Sequence, residues 1–169
     1  EQAGYGKTDD YNGYRQEGFC RMDMTVRNGV RASTANAYLK PALKRDNLHL
    51  EMHALTQRVI MDGQTAVGVE YQQRDQTVRV RARKEVIVSA SAFNSPKLLM
   101  LSGIGPAAQL REHGIDVVQD LPGVGENLQD HLEVWVQRRC TQKITLNGWL
   151  NPVAQGWIGA RWLLTKTGL

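Results

Sequence analysis

The sequence predicts a mixed α/β (α+β) fold, on three observations. Hydrophobicity falls to a period of two through much of residues 48–89. A short, almost continuous apolar run at 84–88 then passes through Ser89-Ala90-Ser91-Ala92 into a helical pattern. A last helical pattern follows Asn151-Pro152, with Val153, Trp157, Ala160 and Leu164 on one face.

Residues 1–31 are Gly-rich and polar, and the segment ending at Asn28-Gly29 reads as a hairpin, since that dipeptide supports the positive φ of a tight turn. Residues 32–39 look helical and are expected to stop near Pro41, because a residue preceding proline disfavours the helical region. From Leu48, apolar Leu48, Leu50 and Met52 alternate with polar neighbours, and Asp62-Gly63 marks a turn. Alternation resumes at 66–71 and again at 76–80, completing a meander. Val86, Ile87 and Val88 read as a strand buried on both faces. Ser95 is the expected N-cap of the next helix, with Pro96 in its first position and Gly103 at its end. A short helix over 107–113 is expected to stop at Gly114, followed by a strand at 115–118, a Gly-rich turn region at 121–130 and a further alternating run at 131–140.

A chain of 169 residues allows one ordinary domain. It does not begin with Met and stops soon after an apolar helical pattern, so an internal piece of a longer protein is expected. The net charge of +4 comes from scattered Lys and Arg rather than a basic block with interleaved aromatics, so nucleic acid is not an expected partner. The two cysteines, Cys20 and Cys140, have no metal-ligand spacing; free, partly buried thiols are expected. No stretch is apolar over the length a transmembrane helix needs.

Two readings fit the unit at 84–103. Small residues between a strand and a capped helix let a ligand approach the backbone and face the helix N-terminus, as nucleotides do in open α/β sheets. They also permit close strand–helix packing with no ligand. Gly123-Val124-Gly125-Glu126-Asn127-Leu128 begins like a dinucleotide loop but ends in Leu, and it lacks the strand–turn–helix context; it is not read as a phosphate site.

Ser91-Ala92-Phe93-Asn94-Ser95-Pro96-Lys97-Leu98-Leu99-Met100-Leu101-Ser102-Gly103-Ile104-Gly105 closely resembles the second signature of the glucose–methanol–choline (GMC) oxidoreductases. The run from Leu121-Pro122-Gly123 to Asp130-His131 is similar to another stretch of that family. Glu1-Gln2-Ala3-Gly4-Tyr5 and Arg31-Ala32-Ser33-Thr34-Ala35 resemble the family's bacterial choline dehydrogenase branch. The resemblance implies a flavoprotein with an FAD-binding domain and a substrate domain built on an antiparallel sheet. Residues 32–130 would belong to the first, and 1–31 and 131–169 to the second. It implies contacts to the adenosine end of FAD at Thr56, within Leu55-Thr56-Gln57-Arg58-Val59, and at Ser89, Ala90 and Ser91. Where Ser91 stands the family usually has Gly, a difference in backbone freedom.

The implied activity is oxidation of choline to betaine aldehyde in glycine betaine synthesis, with electrons passing from FAD to a membrane acceptor such as the respiratory chain. Another primary alcohol as substrate and a non-catalytic binding or assembly module are the alternatives. A cytoplasmic location, peripheral on the inner bacterial membrane or free of it, accompanies this reading. The family's pyrophosphate loop and its C-terminal catalytic histidine have no counterpart in these 169 residues, so no catalytic residue is assigned and the chain alone is expected to bind FAD weakly or not at all. His49 and His53 read as solvent-facing strand residues rather than metal ligands, and His131 as structural. The four tryptophans, Trp135, Trp149, Trp157 and Trp162, read as packing residues rather than an aromatic cage for a quaternary ammonium.

Overall fold

The structure, a computed structural model, describes residues 4–137, 139–142 and 145–167; Glu1-Gln2-Ala3 of the opening motif lie outside the described residues. Strands β1 (Val26–Arg27) and β2 (Val30–Arg31) form the hairpin expected at Asn28-Gly29. Both turn residues have positive φ, 52° and 69°, which matches the twist of the flanking strands. The following helix ends at Ala42, near Pro41 as expected, and runs through the proline. A π-helical turn over Ala35–Leu39 runs into α1 (Lys40–Ala42), with Lys40 N–H donating to Ala35 O. Proline is tolerated because it falls in the first turn of α1, where a missing N–H costs least.

The meander is antiparallel: β3 (Ala54–Asp62), β4 (Thr65–Gln73) and β5 (Gln76–Arg81), in that order. Its first strand starts later than the alternation from Leu48 suggests; His53, with φ 56°, breaks the extended path just ahead of it. A bulge between Thr56 and Arg58 sets Thr56 opposite Tyr71 and Arg58 opposite Glu70. The extra residue shifts the parity of the strand, so Thr56 and Val59 share a face although they are three apart. Val59 and Tyr71 are buried on that face.

Residues 84–90 form no ladder, and the predicted central strand is corrected to an irregular segment whose Ile87 is 77% exposed. A two-sided buried strand needs neighbours on both edges, and none pairs with it among the described residues. Helix α2 (Ser91–Leu101) begins earlier than its sequence signals imply, so Pro96 is internal. Ser95 is not its N-cap: its Oγ accepts the Ala90 N–H at 2.9 Å and holds the turn into the helix. Gly103 closes the helix with φ 82°, and a Cβ there would meet the Asp116 carbonyl and Val118.

Strand β6 (Ile104–Gly105) pairs in parallel with β7 (Gln119–Asp120) across α3 (Ala107–Glu112), which ends at His113-Gly114 as expected. The strand expected at 115–118 is displaced to β7, because Val118 and Gln119 both donate to Gly103 O and start the pairing there. Asp120 Oδ1 accepts the Ala107 N–H at 3.0 Å and satisfies a free donor at the start of α3. The run 131–140 forms no strand among its described residues, and Leu132, Val134 and Val136 are exposed. After a 3-10 turn at Leu146–Trp149, α4 (Pro152–Thr165) starts at Asn151-Pro152 as expected, and Asn151 caps it, its Oδ1 accepting from Ala154 N–H at 2.9 Å.

The chain divides into two compact units, Glu1–His49 with Gln137–Leu169, and Leu50–Val136. In the first, Trp162 Nε1 donates to Gly29 O at 2.7 Å and Lys166 Nζ lies 4.0 Å from the Trp162 ring centre, tying α4 to the hairpin turn. In the second, Val59, Tyr71 and Leu110 are the buried hydrophobic residues among those described.

Candidate functional site

Within the unit Leu50–Val136, one face of the meander and helix α2 enclose a cavity of about 440 Å³. That volume lies in the range of small-molecule and cofactor pockets. Leu55, Thr56 and Val69 form the sheet wall. Residues 86–90, including Ser89 and Ala90, form the rim, and Asn94, Lys97, Leu98 and Leu101 line the helix side. Three of the four residues expected at a cofactor therefore meet at one cavity, although Thr56 and Ser89 are 33 positions apart.

Ser91 does not line this cavity. It stands at the head of α2 with φ 72°, in the left-handed region that favours glycine. The chain passes there from the small-residue segment into the helix.

The opposite face of the meander carries an ion network that the sequence does not announce. Glu70 is paired across the sheet with Arg58 on β3 and Arg79 on β5. Its carboxylate accepts from Arg58 Nε at 3.0 Å and from Arg79 Nε at 2.6 Å. Hydrogen bonds from Arg58 and then Arg79 hold the Glu70 carboxyl below its ordinary value. The glutamate side chain is covered, while the two guanidinium groups remain open to water.

A second cavity, of about 1020 Å³, lies on the other side of α2 beneath the Gly-rich turn. The two-residue β7 leads into the segment, residues 122–125 form turns, and no helix leaves it. Gly125, φ 85°, packs over Met100, so its missing side chain serves close approach to the helix. His131 is exposed and its N–H donates to Asp130 Oδ1 at 2.8 Å. His49 and His53 precede β3 rather than sharing a strand face, and no group of potential metal ligands is found among the described residues. Cys20 and Cys140 are exposed rather than partly buried. Trp135, Trp149 and Trp157 are exposed as well, a correction to the packing expectation; Val153 and Leu164, on the helical face that carries Trp157, are also exposed.

The sequence matches the family described as GMC oxidoreductase over residues 1–133. The chain belongs to this family. It is 59% identical over 167 residues to the oxygen-dependent choline dehydrogenase of Brucella anthropi, covering 99% of this chain and 30% of that protein. The oxygen-dependent choline dehydrogenase of Photobacterium profundum is 55% identical over 169 residues, again 30% of its length. The GMC chain thus spans under a third of these curated relatives. Among solved structures, a formate oxidase variant of Aspergillus oryzae is similar with a TM-score of 0.74 and 26% identity, covering 85% of this chain and 25% of that one. An FAD-dependent oxidoreductase from Chaetomium thermophilum is similar with a TM-score of 0.70 and 30% identity, covering 84% and 25%. As a GMC segment, the chain carries Asn94, Lys97 and Ser102 inside the family signature, where sequence reading alone gave them no individual role.

Proposed function

We propose that this chain is an internal segment of an FAD-dependent oxidoreductase that oxidises choline to betaine aldehyde. The cavity that gathers Thr56, Ser89 and Ala90 carries the reading. It takes the adenosine end of FAD: an edge of β3 supplies backbone groups, apolar Val69 and Leu98 supply a surface for a flat ring, and Asn94 and Lys97 supply polar atoms at the mouth. Ser91 orients the start of α2 beside it. FAD would accept hydride from the alcohol carbon, with the protein supplying position and electrostatics. Residues of this chain hold the cofactor at the end remote from that chemistry.

The names of the relatives that are 55–59% identical support choline as the substrate. Electrons then pass to an acceptor at the bacterial inner membrane, with the protein cytoplasmic or peripheral on that membrane. Structural similarity to a formate oxidase supports a second reading, in which the family holds and the substrate is another small molecule.

The test is anaerobic mixing of the full-length protein with choline while flavin absorbance is recorded. Rapid bleaching is expected. A flavin that choline leaves oxidised, but another alcohol bleaches, would replace the substrate and keep the family. A colourless protein without releasable flavin would remove the cofactor reading altogether.

A further inference from the structure

Ser102 lies outside the cavity, yet it joins both of the cavity's walls. It is 7% exposed. Its Oγ accepts the N–H of Val59 on β3 at 2.8 Å and donates to Leu98 O on α2 at 2.6 Å. The direction of both bonds is forced, since a backbone N–H can only donate and a carbonyl can only accept. The single hydroxyl therefore uses its proton on the helix and a lone pair on the strand.

The bonded atoms sit close to the site. Leu98 lines the cavity; Asn94 and Leu98 lie four apart on one stripe of α2, and Ser102, four further on, caps its end. On the strand, Val59 lies just beyond the bulge that sets Thr56 on the cavity face. Val59 N–H projects from the edge of β3 away from β4, where no further strand pairs among the described residues, and Ser102 supplies its partner. We infer that Ser102 is a positioning residue for the adenosine end of the flavin: its two bonds fix the spacing between Thr56 on β3 and Asn94 and Leu98 on α2. The inference rests on the cavity reading above.

The spacing of two walls matters for a ligand that touches both and not for one that touches neither. Loss of the hydroxyl is therefore expected to weaken ligands containing adenosine selectively. The experiment uses the full-length protein stripped of flavin, with FAD, ADP and FMN titrated separately. ADP binding to the unaltered apoprotein tests the cavity reading itself. If ADP and FAD bind, Ser102→Ala, which removes both bonds that space the walls, should weaken both ligands by about tenfold, a change the size of one ordinary hydrogen bond. FMN affinity should stay within about twofold, and Ser102→Thr, which keeps the oxygen, should restore the ratio. Ser102→Cys, close in shape and poor as a hydrogen-bonding group, gives the same comparison if the alanine protein does not fold.

An equal loss for FAD and FMN, or a lowered melting temperature with the FAD-to-FMN ratio unchanged, makes Ser102 a stabilising residue only and overturns the inference. Apoprotein that binds FAD without binding ADP overturns the cavity reading and the inference with it.

Discussion

Glu70 shows how a single residue is defined by register. In the sequence it is one acid in an alternating run; in the sheet it stands between two arginines at directly opposed positions. Cross-strand opposite charges are favourable where the pair is well aligned. Because the arginines lower its folded pKa below 4.5, the folded state holds this proton less readily than the unfolded state. The stabilisation from Glu70 is then complete above the unfolded value and is lost as pH falls through the folded one. Glu70→Gln in the full-length protein should lower the urea midpoint at neutral pH and flatten its fall on acidification below about pH 4.5. Equal acid sensitivity in both proteins would show that the network carries no such linkage.

At the scale of an element, the start of α2 concentrates the decisions that matter for the site. Its first residue takes φ 72° although it is a serine. Left-handed backbone costs a residue with a Cβ about 1–2 kcal/mol, and the added freedom of glycine in the unfolded chain returns roughly 0.4–1 kcal/mol of that. Ser91→Gly is accordingly expected to stabilise the full-length protein by about 0.5–1 kcal/mol, seen as a higher urea midpoint with an unchanged slope. A lower midpoint would mean that the Ser91 side chain makes a compensating contact in the complete protein. At the other end of the helix, Gly103 serves a different need: positive φ and a close approach to Asp116 and Val118 leave no space for a side chain.

For the molecule as a whole, the shortage of core is the dominant fact. Val59, Tyr71 and Leu110 are the hydrophobic side chains buried among the described residues, while Ile87, Leu132, Val153 and Leu164 are among many that stay exposed. Exposed apolar area of that kind marks surfaces made to meet other protein. The 30% share of the relatives' length agrees with such a role. Purified by itself, the chain should bind a hydrophobic dye and melt without a sharp transition. Isothermal titration of it with FAD should give no saturable heat at micromolar concentration, because the pyrophosphate is the most anionic part of the ligand and its Gly-rich cradle is absent from these residues. Tight binding would mean that the adenosine cavity suffices.

Sequence alone determined what depends on local chemistry. The Asn28-Gly29 hairpin, the turn at Asp62-Gly63, the stop at Gly114 and the helix start at Asn151-Pro152 follow from backbone preferences and side-chain hydrogen bonding, which need no distant partner. The signature at 91–105 pointed to the family, and the association of Thr56 with Ser89 and Ala90 came from that resemblance rather than from periodicity. What only tertiary structure decided is everything set by a partner far along the chain. A one-residue bulge at Gln57 chose the face of Thr56 and the neighbours of Glu70. Val86, Ile87 and Val88 read as a buried strand, but burial is a property of neighbours, and no paired strand covers them here. Ser102 looks like an ordinary small residue near a helix end until β3 brings Val59 N–H within 2.8 Å of it. A pattern of side chains fixes conformation over a turn or two; which donor meets which acceptor is fixed only when the chain has folded back on itself.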